Sequence, residues 1–132
     1  MARVCIVTGA NSGIGLETAR GLAAQGDHVI MTVRDRSKGE AAVREIETST
    51  GSKTVELLEL DLARLESVRE AVATFTQRHD RLDVLINNAG LVVGDRRTTT
   101  DGFEMTFGVN HLGHFLLTTL LLPVLERSTP AR

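Results

Sequence analysis

Close to the amino terminus the chain reads Val4-Cys5-Ile6-Val7-Thr8-Gly9-Ala10-Asn11-Ser12-Gly13-Ile14-Gly15. Four apolar residues in a row are typical of a short strand buried on both faces. Three glycines then follow within seven positions, and from Ile14 apolar residues recur at the spacing of one helix face. A strand, a glycine turn and a helix in this order can bind a dinucleotide pyrophosphate, because glycines admit the phosphates and the helix N–H groups face the anion.

The glycine turn has a second interpretation, since a tight strand-to-helix turn needs glycines for steric reasons alone. The spacing here is Gly-x-x-x-Gly-x-Gly, which differs from the common dehydrogenase pattern Gly-x-Gly-x-x-Gly. It resembles the nucleotide loop of the short-chain dehydrogenase/reductase family, Thr-Gly-x-x-x-Gly-Ile-Gly, at every fixed position. The resemblance implies that the cofactor is contacted by Thr8, Gly9, Asn11, Ser12, Gly13, Ile14 and Gly15.

The rest of the chain alternates short apolar runs with amphipathic segments. Further strands are predicted at residues 28–33, 54–60 and 82–86, and helices at 37–50, 64–79 and 102–127. Such alternation implies right-handed parallel βαβ units with helices on both faces of the sheet. We therefore predict an α/β fold, a Rossmann-type doubly wound parallel sheet of strand order 3-2-1-4, with its ligand crevice at the carboxyl ends of the strands.

Composition narrows the class of protein. The chain has 132 residues, enough for one domain, and its net charge of −2 gives no basic surface for nucleic acid. The single cysteine, Cys5, allows no internal disulfide, fits a reducing compartment, and is predicted to be a small core residue. No leader sequence is recognised, and the apolar run 115–125 is shorter than the roughly 20 residues that span a bilayer. These observations predict a cytoplasmic protein with no transmembrane segment.

Arg34 follows the second predicted strand, where the adenosine ribose of a bound dinucleotide lies. An acid at this place selects NAD, whereas a guanidinium can pair with a 2′-phosphate. The sequence therefore predicts that NADP(H) is preferred and that NAD(H) is possible. A surface arginine paired with Asp35 is the alternative. Ser12 departs from the family pattern, because many NADP-preferring members have a second basic residue at its position.

Two further motifs follow the third and fourth predicted strands. Asp61-Leu62 alone is typical of a helix N-cap, and the resemblance implies that this pair lines the adenine pocket. Asn87-Asn88-Ala89-Gly90 alone is an ordinary asparagine-rich turn. The same four residues are the second hallmark of the family, and the resemblance implies that they border the cofactor.

Asn110 lies in an otherwise apolar helix, where an unpaired amide is costly. The resemblance implies that Asn110 is the catalytic asparagine whose backbone carbonyl holds a water of the proton relay. A helix-bending asparagine that is satisfied locally is the alternative. His111 and His114, three residues apart, share one helix side, but no cysteine or acidic cluster is near them. We therefore predict that both histidines pack against other side chains, and we predict no metal site.

The chain contains no tyrosine. Catalysis in the family uses a tyrosine whose pKa is lowered by a lysine four residues on, together with a serine that positions the substrate oxygen. The resemblance therefore implies that residues 1–132 are the incomplete, cofactor-binding part of such an enzyme, cut before the fifth strand. The intact protein is expected to transfer hydride between NADP(H) and a small-molecule carbonyl or alcohol, and this chain alone is expected to be inactive. Residues 101–123 resemble the retinol-dehydrogenase-like branch.

A non-catalytic nucleotide-binding module that regulates or pairs with a full-length relative is the alternative function. A methyltransferase-type Rossmann domain would not explain Asn87–Gly90 and Asn110 together. The predicted fourth strand is an edge with unpaired backbone groups, and the last helix lacks part of its covering surface. We therefore expect the chain to self-associate through one of these surfaces or to be only marginally stable.

Overall fold

The structure is a computed structural model that describes residues 2–132. A parallel sheet of four strands forms its centre, in the order β3-β2-β1-β4. The strands are β1 (Val4–Thr8), β2 (His28–Val33), β3 (Val55–Glu59) and β4 (Val84–Ile86). The predicted α/β class and strand order are confirmed.

Helices cover both faces of the sheet. They are α1 (Gly13–Ala24), α2 (Arg36–Thr50), α3 (Leu65–Arg78), α4 (Met105–Phe107), a π-helical segment (Gly108–Gly113) and α5 (His114–Arg127). Helices α1 and α2 pack on one face, and α3 and α5 pack on the other. Each βα unit thus places a helix on the sheet, and the strands all end at the same edge.

Strand β1 supplies side chains to both halves of the core, because neighbouring residues of a strand point to opposite faces. Ile6 packs with Phe75 on the α3 side, and Val7 packs with Ile46 on the α2 side. All five residues of β1 are buried, as expected for a central strand. Cys5 is fully buried, and this burial raises the pKa of its thiol to about 11. It is a small core residue, as predicted.

Strand β4 is shorter than predicted, since it begins at Val84 and not at Leu82. Asp83 interrupts the apolar run and is buried. Its carboxylate accepts a hydrogen bond of 2.8 Å from the backbone N–H of Val4 and forms an ion pair with Arg81. These two interactions stabilise a charge that the sheet edge would otherwise exclude.

The outer edge of β4 is paired where the sequence predicted free backbone groups. The N–H of Arg132 donates to the carbonyl of Asp83 at 2.9 Å, and the carbonyl of Arg132 accepts from the N–H of Leu85 at 2.8 Å. Arg132 therefore lies beside β4 and satisfies part of that edge. The prediction that the fourth strand is an edge with unpaired backbone groups was wrong at Asp83 and Leu85.

One helical segment, Met105–Arg127, is long and apolar enough to cross a membrane by length and composition alone. The apolar run 115–125 lies within this longer helical segment, which matches the helix predicted at 102–127 and continues through Pro123. The segment starts three residues after the predicted Gly102. Its inward residues are buried in the core of the domain: Leu117, Leu121 and Val124.

Candidate functional site

A cleft of about 230 Å³ opens at the carboxyl ends of the strands. Residues that follow each of the four strands form its walls. The predicted site residues that line it are Gly9, Asn11, Arg34, Asp61, Leu62, Ala89 and Gly90. The chain order reverses between β1 and β4, so the cleft lies where open α/β sheets bind their ligands.

The turn between β1 and α1 needs glycine at Gly9 and Gly13 for their backbone conformation and at Gly15 for lack of space. Gly9 and Gly13 adopt φ values of +63° and +57°, a conformation that favours glycine. A Cβ on Gly15 would overlap the carbonyl oxygen of Gly9 and would lie 2.5 Å from Nδ2 of Asn88. The steric interpretation of these glycines is therefore correct, and it holds whether or not the turn binds an anion.

The start of helix α1 has the free donors that an anion needs. Ser12 is the N-cap residue, with extended φ and ψ of −159° and 164°, and its side chain makes no capping hydrogen bond. The first N–H groups of a helix have no partner within the helix itself. They are therefore available to a phosphate, with the positive end of the helix dipole behind them.

Thr8, at the end of β1, joins the glycine turn to the loop after β4. Its Oγ1 accepts hydrogen bonds of 2.9 Å from the backbone N–H groups of both Asn88 and Ala89. The Asn88 amide Nδ2 donates to the carbonyls of Thr8 and Gly9 at 3.0 and 3.3 Å. Thr8 and Asn88 therefore hold two walls of the cleft together and are not themselves part of its lining.

His114 lies buried beside Thr8, with its Nε2 2.8 Å from Thr8 Oγ1. Its Nδ1 is 3.3 Å from the backbone carbonyl of Asn110. Because a carbonyl can only accept, Nδ1 carries the proton and Nε2 accepts from the Thr8 hydroxyl. Burial lowers the pKa of His114, and the Asn110 carbonyl opposes this shift. His114 is thus a neutral link between the turn and Asn110, a role that the sequence analysis missed.

The Asn110 side chain forms two hydrogen bonds with the backbone of Leu91. Its Nδ2 donates to the Leu91 carbonyl at 2.8 Å, and its Oδ1 accepts from the Leu91 N–H at 2.9 Å. Leu91 lies 19 positions away, so the alternative of a locally satisfied asparagine was wrong. Asn110 lies in the π-helical segment, a geometry frequent at functional sites.

His111 and Asn87 lie beside Asn110. His111 is exposed and stacks on Phe107 with ring centroids 5.2 Å apart, whereas His114 is buried. The two histidines, predicted to share one side as packing residues, therefore differ because the π-helical turn is wider than an α-helical turn. Asn87 Nδ2 donates to Thr118 Oγ1 on α5 at 3.0 Å.

One interpretation of the sequence predicted that Asp61 caps helix α3. The structure shows that it does not. Its carboxylate accepts from the N–H of Ala63 at 2.9 Å and so closes a tight turn. The carboxylate of Asp101 accepts from the N–H of Leu65 at 2.9 Å, at the start of α3. Because a residue 36 positions later supplies this cap, Asp61 and Leu62 remain at the cleft wall.

Arg34 is exposed at the cleft and forms no ion pair within residues 2–132. The neighbouring Asp35 is the N-cap of α2, and its carboxylate accepts from the Lys38 N–H at 3.2 Å and from the Ser37 hydroxyl at 2.8 Å. The alternative in which Arg34 pairs with Asp35 was therefore wrong.

Lys38 is a second cation near the cleft that the sequence analysis did not single out. It borders a depression shared with Asn11 and Ser12. Its position four residues after Arg34, at the first turn of α2, is the signal that could have found it. The structure therefore places a lysine beside Ser12, the position at which the sequence lacks a basic residue.

The family model described as short chain dehydrogenase matches residues 3–132. The chain belongs to the short-chain dehydrogenase family. Human retinol dehydrogenase 13 is 52% identical to it over 130 residues, which are 98% of this chain and 39% of that protein. The chain therefore spans about two fifths of the length of this curated relative.

Solved structures of the family superimpose closely on this short-chain dehydrogenase. The Pseudomonas aeruginosa RhlG/NADP active-site complex matches with a TM-score of 0.84 and 29% identity, over 99% of this chain and 51% of that one. An uncharacterized protein from Mycobacterium Paratuberculosis matches with a TM-score of 0.82 and 51% identity, over 92% of this chain and 42% of that one. The family assignment and the fold thus agree.

The lowered pKa of His114 leads us to expect that acid destabilises the fold of this short-chain dehydrogenase chain. Its folded-state pKa lies below the unfolded value of about 6.5, so the stability that it contributes is complete above that pH and is lost as the pH falls below it. Thermal unfolding midpoints should fall more steeply between about pH 7.5 and pH 5.5 in the wild type than in His114→Gln. Equal slopes in the two proteins would contradict the prediction, because every other titrating group is common to both.

Proposed function

We propose that this chain is the NADP(H)-binding part of an oxidoreductase that acts on a carbonyl or alcohol. The observation that carries the proposal is the exposed Arg34, which has no ionic partner within residues 2–132 and lines the cleft beside the glycine turn. A guanidinium in this place is suited to a 2′-phosphate. The described ligand of the RhlG complex, NADP, supports the same cofactor.

The residues present fit such a cofactor. The turn at Gly9 and Gly15 excludes side chains and leaves the α1 N–H groups to bind a diphosphate. Asp61 and Leu62 form the wall assigned to the adenine, and Arg34 with Lys38 provides positive charge for the 2′-phosphate. Bound NADP(H) would supply or accept the hydride. These assignments, like those of the other predicted site residues, stay predictions.

Asn110 is assigned the catalytic role implied by the family, in which its backbone carbonyl holds a water. Its side chain is fixed by the two hydrogen bonds to Leu91, and its carbonyl is held by His114. His114 is therefore proposed to be a positioning residue, since it acts on the water only through the Asn110 carbonyl. Its link to Thr8 ties that carbonyl to the same turn that binds the cofactor.

The chain by itself is proposed to bind cofactor without turnover, because its 132 residues include no tyrosine to serve as acid or base. The intact protein would act on a hydrophobic alcohol or carbonyl. The names of two human relatives, retinol dehydrogenase 13 and polyprenol dehydrogenase, support this substrate class. A regulatory nucleotide-binding module remains the alternative, and the cytoplasmic location and the self-association stay predictions.

Calorimetric titration of the chain with NADPH and with NADH tests the proposal. We expect tighter binding of NADPH, and we expect Arg34→Asp to weaken NADPH binding about ten- to hundredfold while NADH binding changes little. Arg44→Asp is the matched control, because Arg44 is exposed on α2 outside the cleft and the charge change is the same.

Two outcomes would overturn the proposed preference. Equal affinities for NADPH and NADH would mean that no group reads the 2′-phosphate. An equal loss of affinity in Arg34→Asp and Arg44→Asp would mean that only the overall charge acts. A folded chain that binds neither nucleotide would overturn the assignment of this chain as the cofactor-binding part.

A further inference from the structure

Three side chains with metal-binding groups meet far from the cofactor cleft. His28 begins β2, Glu56 lies in β3, and His79 follows the end of α3. Nε2 of His28 lies 2.9 Å from Glu56 Oε2, and Nε2 of His79 lies 2.8 Å from Glu56 Oε1. Each oxygen of one carboxylate therefore faces one imidazole nitrogen, and the three ligand atoms lie within 4.8 Å of one another.

We propose that His28, Glu56 and His79 form a binding site for a divalent transition-metal cation such as Zn²⁺. Two imidazole nitrogens and one carboxylate oxygen are a frequent ligand set for this ion, with a water in the fourth position. Bonds of about 2.0–2.2 Å in a tetrahedron separate the ligand atoms by roughly 3.3–3.5 Å. The hydrogen-bonded separation at the ligating oxygen would widen by about half an ångström, and the other ligand atoms, which lie within 4.8 Å of one another, would adjust to the same spacing.

The ligands are held in place by the fold before any ion binds. The His79 ring stacks on the buried Phe75 with centroids 5.1 Å apart and an interplanar angle of 25°. The His28 and His79 rings are nearly perpendicular, with centroids 5.0 Å apart. The His28 N–H donates to the carbonyl of Arg3 at 2.8 Å, so its backbone is fixed as well. Little conformational freedom is left to lose on binding.

The cluster is reachable from solvent and suitably charged. The side chains of His28, Glu56 and His79 are 29%, 31% and 13% exposed. Burial acts to raise the pKa of Glu56, but the hydrogen bonds from His79 and His28 outweigh it, so the pKa is lowered. Glu56 is therefore a carboxylate at neutral pH. A cation would bind the lone pair of each Nε2, so the hydrogen that Nε2 now directs at Glu56 would be carried by Nδ1 of the same neutral ring.

The site is separate from the cofactor chemistry. His28 and Val33 mark opposite ends of β2, so the cluster and the cleft lie roughly 17 Å apart along the strand. A cation here would link β2, β3 and the end of α3. It would stabilise the folded chain, since it binds a ligand set that the unfolded chain does not hold together.

Calorimetric titration of the chain with ZnCl₂ and thermal unfolding with and without Zn²⁺ test the site. We expect one Zn²⁺ per chain and a higher unfolding midpoint in its presence. His79→Gln keeps an N–H donor for Glu56 but removes the imidazole ligand, and it should weaken Zn²⁺ binding at least about tenfold. His111→Gln is the matched control, because His111 is an exposed histidine outside the cluster and its loss should leave binding unchanged.

A second variant, Glu56→Gln, removes the charge at nearly constant size and should cause a similar loss. Circular dichroism of each variant identifies those that keep the fold, and only these are compared. Absence of Zn²⁺ binding by the wild type would overturn the proposal. Wild-type affinity in a folded His79→Gln or Glu56→Gln would also overturn it, since the ion would then bind elsewhere.

Discussion

Gly15→Ala is expected to abolish measurable NADPH binding and to lower the free energy of unfolding by about 3 kcal/mol. The added Cβ would overlap the carbonyl oxygen of Gly9 and would lie 2.5 Å from Nδ2 of Asn88. Neither group can retreat, because the Asn88 amide is bonded to the carbonyls of Thr8 and Gly9. The turn would have to open, and the N–H groups that face a diphosphate would move with it.

Urea unfolding and calorimetric titration with NADPH measure the two effects. Gly21→Ala is the matched control in the same helix, since a Cβ at Gly21 meets no atom within 4 Å. This control should be stabilised by up to about 1 kcal/mol, because alanine favours the helix over glycine. NADPH affinity of Gly15→Ala equal to that of the wild type would show that the close approach of α1 to β1 is not needed for binding.

Thr8→Val is expected to lower the free energy of unfolding by roughly 2–5 kcal/mol. The shape of the side chain is nearly unchanged, but the buried hydroxyl is lost. The N–H of Ala89 and the Nε2 of His114 then lose the partner that the hydroxyl supplied, whereas the N–H of Asn88 keeps its 3.0 Å hydrogen bond to the carbonyl of Ile86. A buried donor or acceptor without a partner has lost its hydrogen bonds to water and gained none in the protein. The loss of folding free energy is therefore larger than that for one ordinary hydrogen bond.

Thr8→Ser distinguishes the contribution of the hydroxyl to stability from that of the methyl group, because serine keeps Oγ and lacks only one carbon. Its expected loss is about 1 kcal/mol, measured by urea unfolding in parallel with Thr8→Val. NADPH binding should follow the same order, since the hydroxyl joins two walls of the cleft. Equal destabilisation by serine and valine would contradict the role assigned to the hydroxyl.

Several features of the chain were determined by the sequence alone. The apolar run Val4–Val7, the glycine turn after it and the later alternation of strands with helices predicted the sheet order 3-2-1-4. The helix predicted at 37–50 is α2, which begins at Arg36 and ends at Thr50. These features depend on residues close together in sequence and on the handedness of βαβ units, which apply before any long-range contact is known. The motifs also placed seven predicted residues on the cleft wall.

Only the tertiary structure decided which distant groups meet. The Thr8 hydroxyl and the His114 ring are 106 positions apart, and Asp101 caps α3 across 36 positions. The cluster of His28, Glu56 and His79 comes from three separate elements and leaves no spacing pattern in the sequence. Sequence periodicity reports which face a residue occupies, whereas hydrogen-bond partners depend on how packed elements align. The neutral link through His114 and the proposed cation site could therefore be found only once the helices lay on the sheet.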